Sequence, residues 1–198
     1  ASSGIGKHVA IKISEIADHV YILSRNVARL EKVNDIIVKN GADCTIIPMD
    51  LTKKNSIKEL AMNIYQKEKK IDVIASCAGR ISQLSPISSQ NENEITKTFE
   101  LNYVANLLLM KEFLPLLKLS NDGKFIIISS INSKSKQQYW GGYQPIMTAL
   151  NELVKIFAEE NKSKKIKIHC VCPSAVDTDF RNEIMPGENK DKILKPEK

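Results

Sequence analysis

Apolar residues gather in five short runs, at 20–23, 44–48, 71–75, 125–130 and 166–171. Runs of this length, rich in Ile and Val, predict strands buried on both faces. Longer amphipathic stretches separate them. One carries Ile11, Ile13 and Ile16; others run over 27–39, 53–69, 91–117 and 149–159. Asp50 or Thr52 is placed to cap the 53–69 helix, and Pro115 to kink or end the 91–117 helix. Strands alternating with helices predict an α/β fold built on a parallel sheet. Without repeats or linkers, the pattern reads as a single domain over 1–198.

The run at 125–130 closes on two serines, Ser129 and Ser130. In open α/β sheets ligands bind at the carboxyl ends of strands, so these hydroxyls stand where chemistry is done. Thirteen residues after Ser130 comes Tyr143, behind Gly141 and Gly142, which let a helix begin abruptly. Positions 143 and 147 are one turn apart and share a helix face. At the other end of the chain, Ser3, Gly4 and Gly6 precede a helical pattern. Glycines at a helix start let backbone N–H groups approach a pyrophosphate.

Composition narrows the partners. The net charge is +6 and the pI about 9.0, but the cations are mostly lysines interleaved with acids, as in 67–70. Nucleic-acid faces cluster charge and interleave aromatics, so no nucleic acid is expected. Only the 162–167 run resembles a patch, and a solvated helix end explains it. The longest apolar run, 104–110, is far short of a membrane span, and no leader peptide is visible. Cys44, Cys77, Cys170 and Cys172 show no CxxC spacing. They read as buried free thiols with no metal, which suits a reducing, cytoplasmic setting.

The Ser130 to Tyr143 spacing resembles the short-chain dehydrogenase/reductase family of NAD(P)-dependent oxidoreductases. Its active site has a strand-end Ser, a Tyr thirteen residues on, and a Lys four after the Tyr. Position 147 is Met instead. The resemblance implies a Rossmann-like doubly wound parallel sheet. Ser3, Gly4, Ile5 and Gly6 match the end of the family's TGxxxGxG fingerprint. The fingerprint's first half and the strand before it are lacking, as is the last strand, which implies the inner part of a longer domain. The strands at 20–23 and 71–75 would flank the gap without pairing with each other.

Further matches follow along the chain. Asp50 and Leu51 stand where the family meets the adenine, and Ala78 and Gly79 match the end of its NNAG turn. Asn102 stands where the family has a structural or proton-relay Asn. Pro173, Val176 and Thr178 match PGxVxT, whose threonine holds the nicotinamide carboxamide. After the second strand, where an acid would select NAD, the chain has Ser24 and Arg25. A guanidinium there suits a 2′-phosphate, so NADP is expected over NAD. The resemblance also implies a homodimer or homotetramer through the 91–117 and 143–160 helices. The polar tail, 180–198, is expected as a loop and short helix over the substrate pocket.

The implied chemistry is hydride transfer between nicotinamide and a carbonyl or alcohol carbon. Tyr143 would be the general acid or base, Ser130 would hydrogen-bond the substrate oxygen, and Asn102 would support a proton path. The family's lysine holds the ribose and lowers the tyrosine pKa. Met147, expected to point into the cofactor crevice, does neither; Lys134 or Lys136 could in principle bring an ammonium back, but both are expected in solvent. An unperturbed tyrosine is phenolate about once in a thousand at pH 7, a deficit of roughly 4 kcal/mol for a base. A neutral tyrosine still donates a proton, so reduction is expected to suffer less than oxidation. A non-catalytic cofactor-binding relative, or a decayed fragment, stands as the alternative, with a basic nucleic-acid-binding protein third.

Overall fold

The computed structural model describes residues 1–130, 137–162 and 165–197. They form two compact units, Ala1–Asp50 with Ser174–Lys198, and Leu51–Pro173. Lys134 and Lys136 lie outside the described residues.

The first unit begins with helix α1 (Gly4–Ile13), followed by strand β1 (His19–Ser24), helix α2 (Val27–Lys39) and strand β2 (Asp43–Pro48). β1 and β2 pair in parallel, Val20 opposite Cys44 and Ile22 opposite Ile46. Asn26 caps α2 by accepting from the Arg29 amide at 2.9 Å, and α1 packs on α2. Their apolar faces meet β1 in a core of Ala10, Val20, Ile22, Leu30, Val33, Ile37 and Ala42. Late in the chain this unit adds a short helix, α7 (Asp179–Ile184), and a bridge between Val176 and Leu194. Arg181 grips Glu188 through two hydrogen bonds, at 2.6 and 2.7 Å, and holds that tail folded.

The second unit holds strands β3 (Val73–Ser76), β4 (Gly123–Ile128) and β5 (Ile166–Val171), all parallel, in the order β3-β4-β5. Helices α3 (Ser56–Glu68), α4 (Glu92–Phe99), α5 (Ala105–Lys118) and α6 (Gln144–Glu160) connect and flank them. Phe125 and Ile127 of β4 are fully buried, and Phe125 meets Phe157 of α6 edge to face at 6.0 Å. The parallel strands and flanking helices give the expected α/β class.

Several boundaries differ from expectation. β3 begins at Val73 rather than Ile71; the Ile71 amide donates to the Leu116 carbonyl at 3.4 Å instead of joining the ladder with β4. α3 begins at Ser56, and its N-cap is Asn55 at φ +63, not Asp50 or Thr52. The 91–117 helix is interrupted not at Pro115, which sits inside α5, but by a π-helical turn over Glu100–Val104. Nor are the cysteines buried: Cys170 is exposed and the other three are half-buried. β5 has no ladder partner on its far side among the described residues, which leaves its outer positions open.

Candidate functional site

In the second unit, β4 delivers Ser130 just past its last paired residue, and α6 begins with Tyr143 at its N-cap. The two side chains hydrogen-bond. Burial pushes the Tyr143 phenol up to about 12; the Ser130 bond pulls it down, and a charge on Cys172 adds to the rise. At neutral pH the phenol is therefore a proton donor, ionised about once in a hundred thousand.

The glycine pair before Tyr143 is required by close approach rather than by backbone conformation. A Cβ on Gly142 would meet Ser82 Oγ at 2.6 Å and Gln90 Oε1 at 2.8 Å. The 82–90 loop thus presses on the residues that aim the tyrosine. The Ser85 amide donates to the Tyr139 carbonyl at 3.3 Å across the same seam. Trp140 meets the Tyr143 ring at 5.9 Å. Pro145, in the first turn of α6, removes an N–H that had no helical partner.

Met147 is buried on the same helix, its amide bonded to the Tyr143 carbonyl at 3.1 Å. Its sulfur sits 3.5 Å from Asn102 Nδ2. Asn102 lies in the π-turn, a feature often found at functional sites. Its side chain accepts from the Arg80 amide at 2.9 Å and donates to the Arg80 carbonyl at 2.8 Å. Its own carbonyl accepts from Asn106 Nδ2 at 2.7 Å, and Asn106 Oδ1 accepts from the Ser76 hydroxyl at 2.6 Å. The network Ser76–Asn106–Asn102–Arg80 ties the end of β3 to the π-turn, and Met147 caps it with a weak acceptor. Ala78 and Gly79 are exposed in the turn that this network holds. The partners Ser76 and Asn106 escaped the sequence reading. The signal was there, since Asn102 and Asn106 stand at i, i+4 in an apolar stretch, and two buried amides need partners.

The first unit carries the glycine turn. Gly4 has φ +50, and a Cβ there would crowd Thr178 Cγ2 at 3.2 Å. Ile5 and Gly6 follow in the first turn of α1, with no acidic residue beside them. Ser3 is the N-cap, yet its hydroxyl makes no capping bond. Ser3 and Gly4 border a cavity of about 370 Å³ whose walls include Lys7, His8, Arg29 and Lys32, with Thr178 and Asp179. A helix start surrounded by basic side chains fits the phosphates of a dinucleotide.

Sequence reasoning found Ser3, Gly4 and Thr178 but missed Lys7, Arg29 and Lys32. Arg29 and Lys32 stand three apart on α2, a spacing that puts both on one face. Arg25 is exposed beyond β1 and does not line the cavity. Ser24, beside it, bonds the Ser2 hydroxyl at 2.8 Å. Asp50 and Leu51 are half-buried between β2 and α3, and Pro173 is half-buried after β5. Val176 is held in its bridge, and the Thr178 hydroxyl caps α7, accepting from the Arg181 amide at 3.2 Å.

Among the described residues no three His, Cys, Asp or Glu side chains gather as a metal site. No helix among them is long and apolar enough to cross a membrane.

Comparison with known proteins agrees with this geometry. The short chain dehydrogenase family model matches residues 1–189. An uncharacterized oxidoreductase of Escherichia coli, YciK, is 26% identical over 200 residues, covering 99% of this chain and 79% of the relative. A benzil reductase of Saccharomyces cerevisiae that forms (S)-benzoin is 31% identical over 192 residues, covering 93% of this chain and 72% of the relative. Among solved structures, a Shigella flexneri chain assigned as a short chain dehydrogenase, complexed with NADP, superposes with a TM-score of 0.92 at 26% identity. It covers 100% of this chain and 83% of its own. An alcohol dehydrogenase from the archaeon Thermococcus sibiricus, complexed with 5-hydroxy-NADP, gives 0.89 at 28% identity, with coverage of 100% and 83%. The chain belongs to the short-chain dehydrogenase family of NAD(P)-dependent oxidoreductases.

Proposed function

We propose that this protein is an NADP-dependent reductase of small carbonyl compounds, with Ser130 and Tyr143 as its catalytic pair. One observation carries the direction: Tyr143 is neutral, its phenol raised to about 12, and bonded to Ser130 at the carboxyl end of β4. When bound, NADPH would supply hydride chemistry at the carbonyl carbon. Ser130 donates to the carbonyl oxygen and steadies its growing negative charge. Tyr143 gives that oxygen its proton and is restored from solvent. Asn102 holds the Arg80 turn in place.

In the first unit, Ser3 to Gly6 and the Lys7, Arg29 and Lys32 cations bind cofactor phosphate, and Arg25 favours the 2′-phosphate. NADP in the Shigella short chain dehydrogenase and 5-hydroxy-NADP in the Thermococcus alcohol dehydrogenase, both superposing along the whole chain, support the choice of cofactor. The assignments of Asp50, Leu51, Ala78, Gly79, Pro173, Val176 and Thr178 rest on the family resemblance. A homodimer is part of the same proposal. Phe99 and Tyr103 stack at 5.0 Å with Phe99 exposed, and Leu107 and Ile156 leave further apolar surface on the helices expected at the subunit interface.

The test is to follow NADPH consumption with benzil, a 1,2-diketone suggested by the yeast relative, for wild type and Ser130→Ala. Turnover should fall at least a hundredfold in the variant, with NADPH binding intact. Binding of NADPH without turnover on a panel of ketones and aldehydes would point to a non-catalytic relative.

A further inference from the structure

Two thiols stand beside the candidate active site, and neither has a role in the reduction. Cys170 lies near the end of β5 and Cys172 just past it, on the same side of the chain. Their sulfurs are 4.0 Å apart. Cys172 is near enough to Tyr143 for its charge to raise the phenol's pKa. Cys170 is exposed and donates to Asn151 Oδ1 at 3.2 Å, an oxygen that also accepts from the Ser129 hydroxyl.

We propose that Cys170 and Cys172 are a redox-active pair that a hydroperoxide converts to an intramolecular disulfide beside Tyr143. Geometry favours closure. Two residues of extended chain span roughly 6.6 Å between Cα atoms, within the range of about 4.4–6.8 Å that disulfides occupy. The sulfurs must approach from 4.0 Å to about 2.05 Å. The ladder of β5 with β4 ends at Val171, so the turn through Cys172 can shift without breaking that pairing. Asn151 already holds Cys170 on the side that faces α6. No further His, Cys, Asp or Glu among the described residues joins the two sulfurs to build a metal site.

The chemistry balances with the peroxide as two-electron oxidant. One cysteine, as thiolate, attacks a peroxide oxygen and the O–O bond breaks, leaving a sulfenic acid and an alcohol or water. The second cysteine sulfur attacks the sulfenic sulfur, the S–S bond forms, and water departs with its proton. Burial, and then Cys172, push the Cys170 thiol up to about 11, so at neutral pH it stays protonated. The pair therefore reacts slowly and responds to sustained rather than transient peroxide. Closure pulls on the chain beside Tyr143. Its effect on turnover rests on the carbonyl-reductase reading above.

The test is mass spectrometry of the 168–181 fragment, which trypsin releases after Lys167 and Arg181, before and after hydrogen peroxide. The fragment should lose two hydrogens, resist alkylation, and recover with dithiothreitol. Cys170→Ser and Cys172→Ser should each take up oxygen or a foreign thiol instead. In parallel, peroxide should lower NADPH-dependent ketone reduction at least tenfold, reversibly. Free alkylation of both cysteines after peroxide, or oxygen uptake without hydrogen loss, would overturn the proposal. A disulfide that leaves turnover unchanged would overturn the link to Tyr143. A reduced protein with no turnover at all would count against the reductase reading, while the hydrogen loss would still decide the thiol chemistry.

Discussion

The sulfur of Met147 lies 3.5 Å from Nδ2 of Asn102, one helical turn from Tyr143. The side chain points into the second unit's interior, where it is 5% exposed, and closes the amide network instead of offering an ammonium. Met147→Lys should therefore change the chemistry in one direction more than the other. A cation beside the phenol stabilises its ionised form and lowers its pKa from about 12. We expect alcohol oxidation with NADP at pH 8 to rise at least tenfold, with the pH–rate profile moved to lower pH. Ketone reduction should change less. Equal effects on both directions would contradict this.

Asn102 satisfies the amide and carbonyl of Arg80 at once. Asn102→Ala leaves both without that partner and leaves the Met147 sulfur without its donor. A fully buried orphaned group costs about 1–3 kcal/mol and these two are only partly buried, so a loss of roughly 2–4 kcal/mol in urea unfolding is expected. Asn106→Ala should act in the same sense and less than additively, since the two share one network.

Gly142 has no room for a methyl group. Gly142→Ala must move the Ser82 and Gln90 side chains, at a cost of about 1–3 kcal/mol. Because Tyr143 is the next residue, the rate of ketone reduction should fall further than stability alone explains. Comparing kcat below the melting transition with the Tm separates the two effects.

Cofactor choice and phosphate affinity should separate by residue. Arg25→Ala should narrow the preference for NADPH over NADH. Arg29→Ala and Lys32→Ala, which border the cavity at the start of α1, should weaken both nucleotides by about tenfold each, equal to about 1.4 kcal/mol. Loss of the Arg29–Asp179 ion pair should not destabilise the fold measurably, because both side chains are more than half exposed. Fluorescence titration with both cofactors checks each expectation, and equal wild-type affinity for NADPH and NADH would refute the role of Arg25.

Tyr143 also sets a limit on alkaline stability. Its folded-state pKa is raised above the unfolded value near 10, so the stability it contributes is intact below pH 10. That contribution is lost as pH rises from about 10 to 12. Tyr143→Phe should flatten this part of the stability curve, measured by urea unfolding across the interval.

Strands were legible because a buried parallel strand leaves little choice of residue: 20–23, 44–48 and 166–171 were placed within two residues. The Ser130 and Tyr143 meeting was legible too, since strand end and helix start fix both positions. What could not be read was decided by side-chain hydrogen bonds between distant residues. The clasp of Asn102 on Arg80 coincides with a π-turn that periodicity cannot announce. Asn55, in a left-handed conformation and without a side-chain capping bond, starts α3 in place of Asp50 or Thr52, which propensity alone does not foresee. The exposure of Cys170 depends on which edge of the sheet β5 occupies, and an apolar run does not say.

The central claim is that neutral Tyr143, paired with Ser130, protonates the carbonyl oxygen during reduction by NADPH. The most direct measurement is the rate of NADPH-dependent benzil reduction by wild type and Tyr143→Phe, with NADPH affinity measured alongside. The account predicts measurable turnover in wild type, a loss of at least a hundredfold in the variant, and NADPH affinity within about twofold. A variant that reduces the ketone as fast as wild type would contradict it.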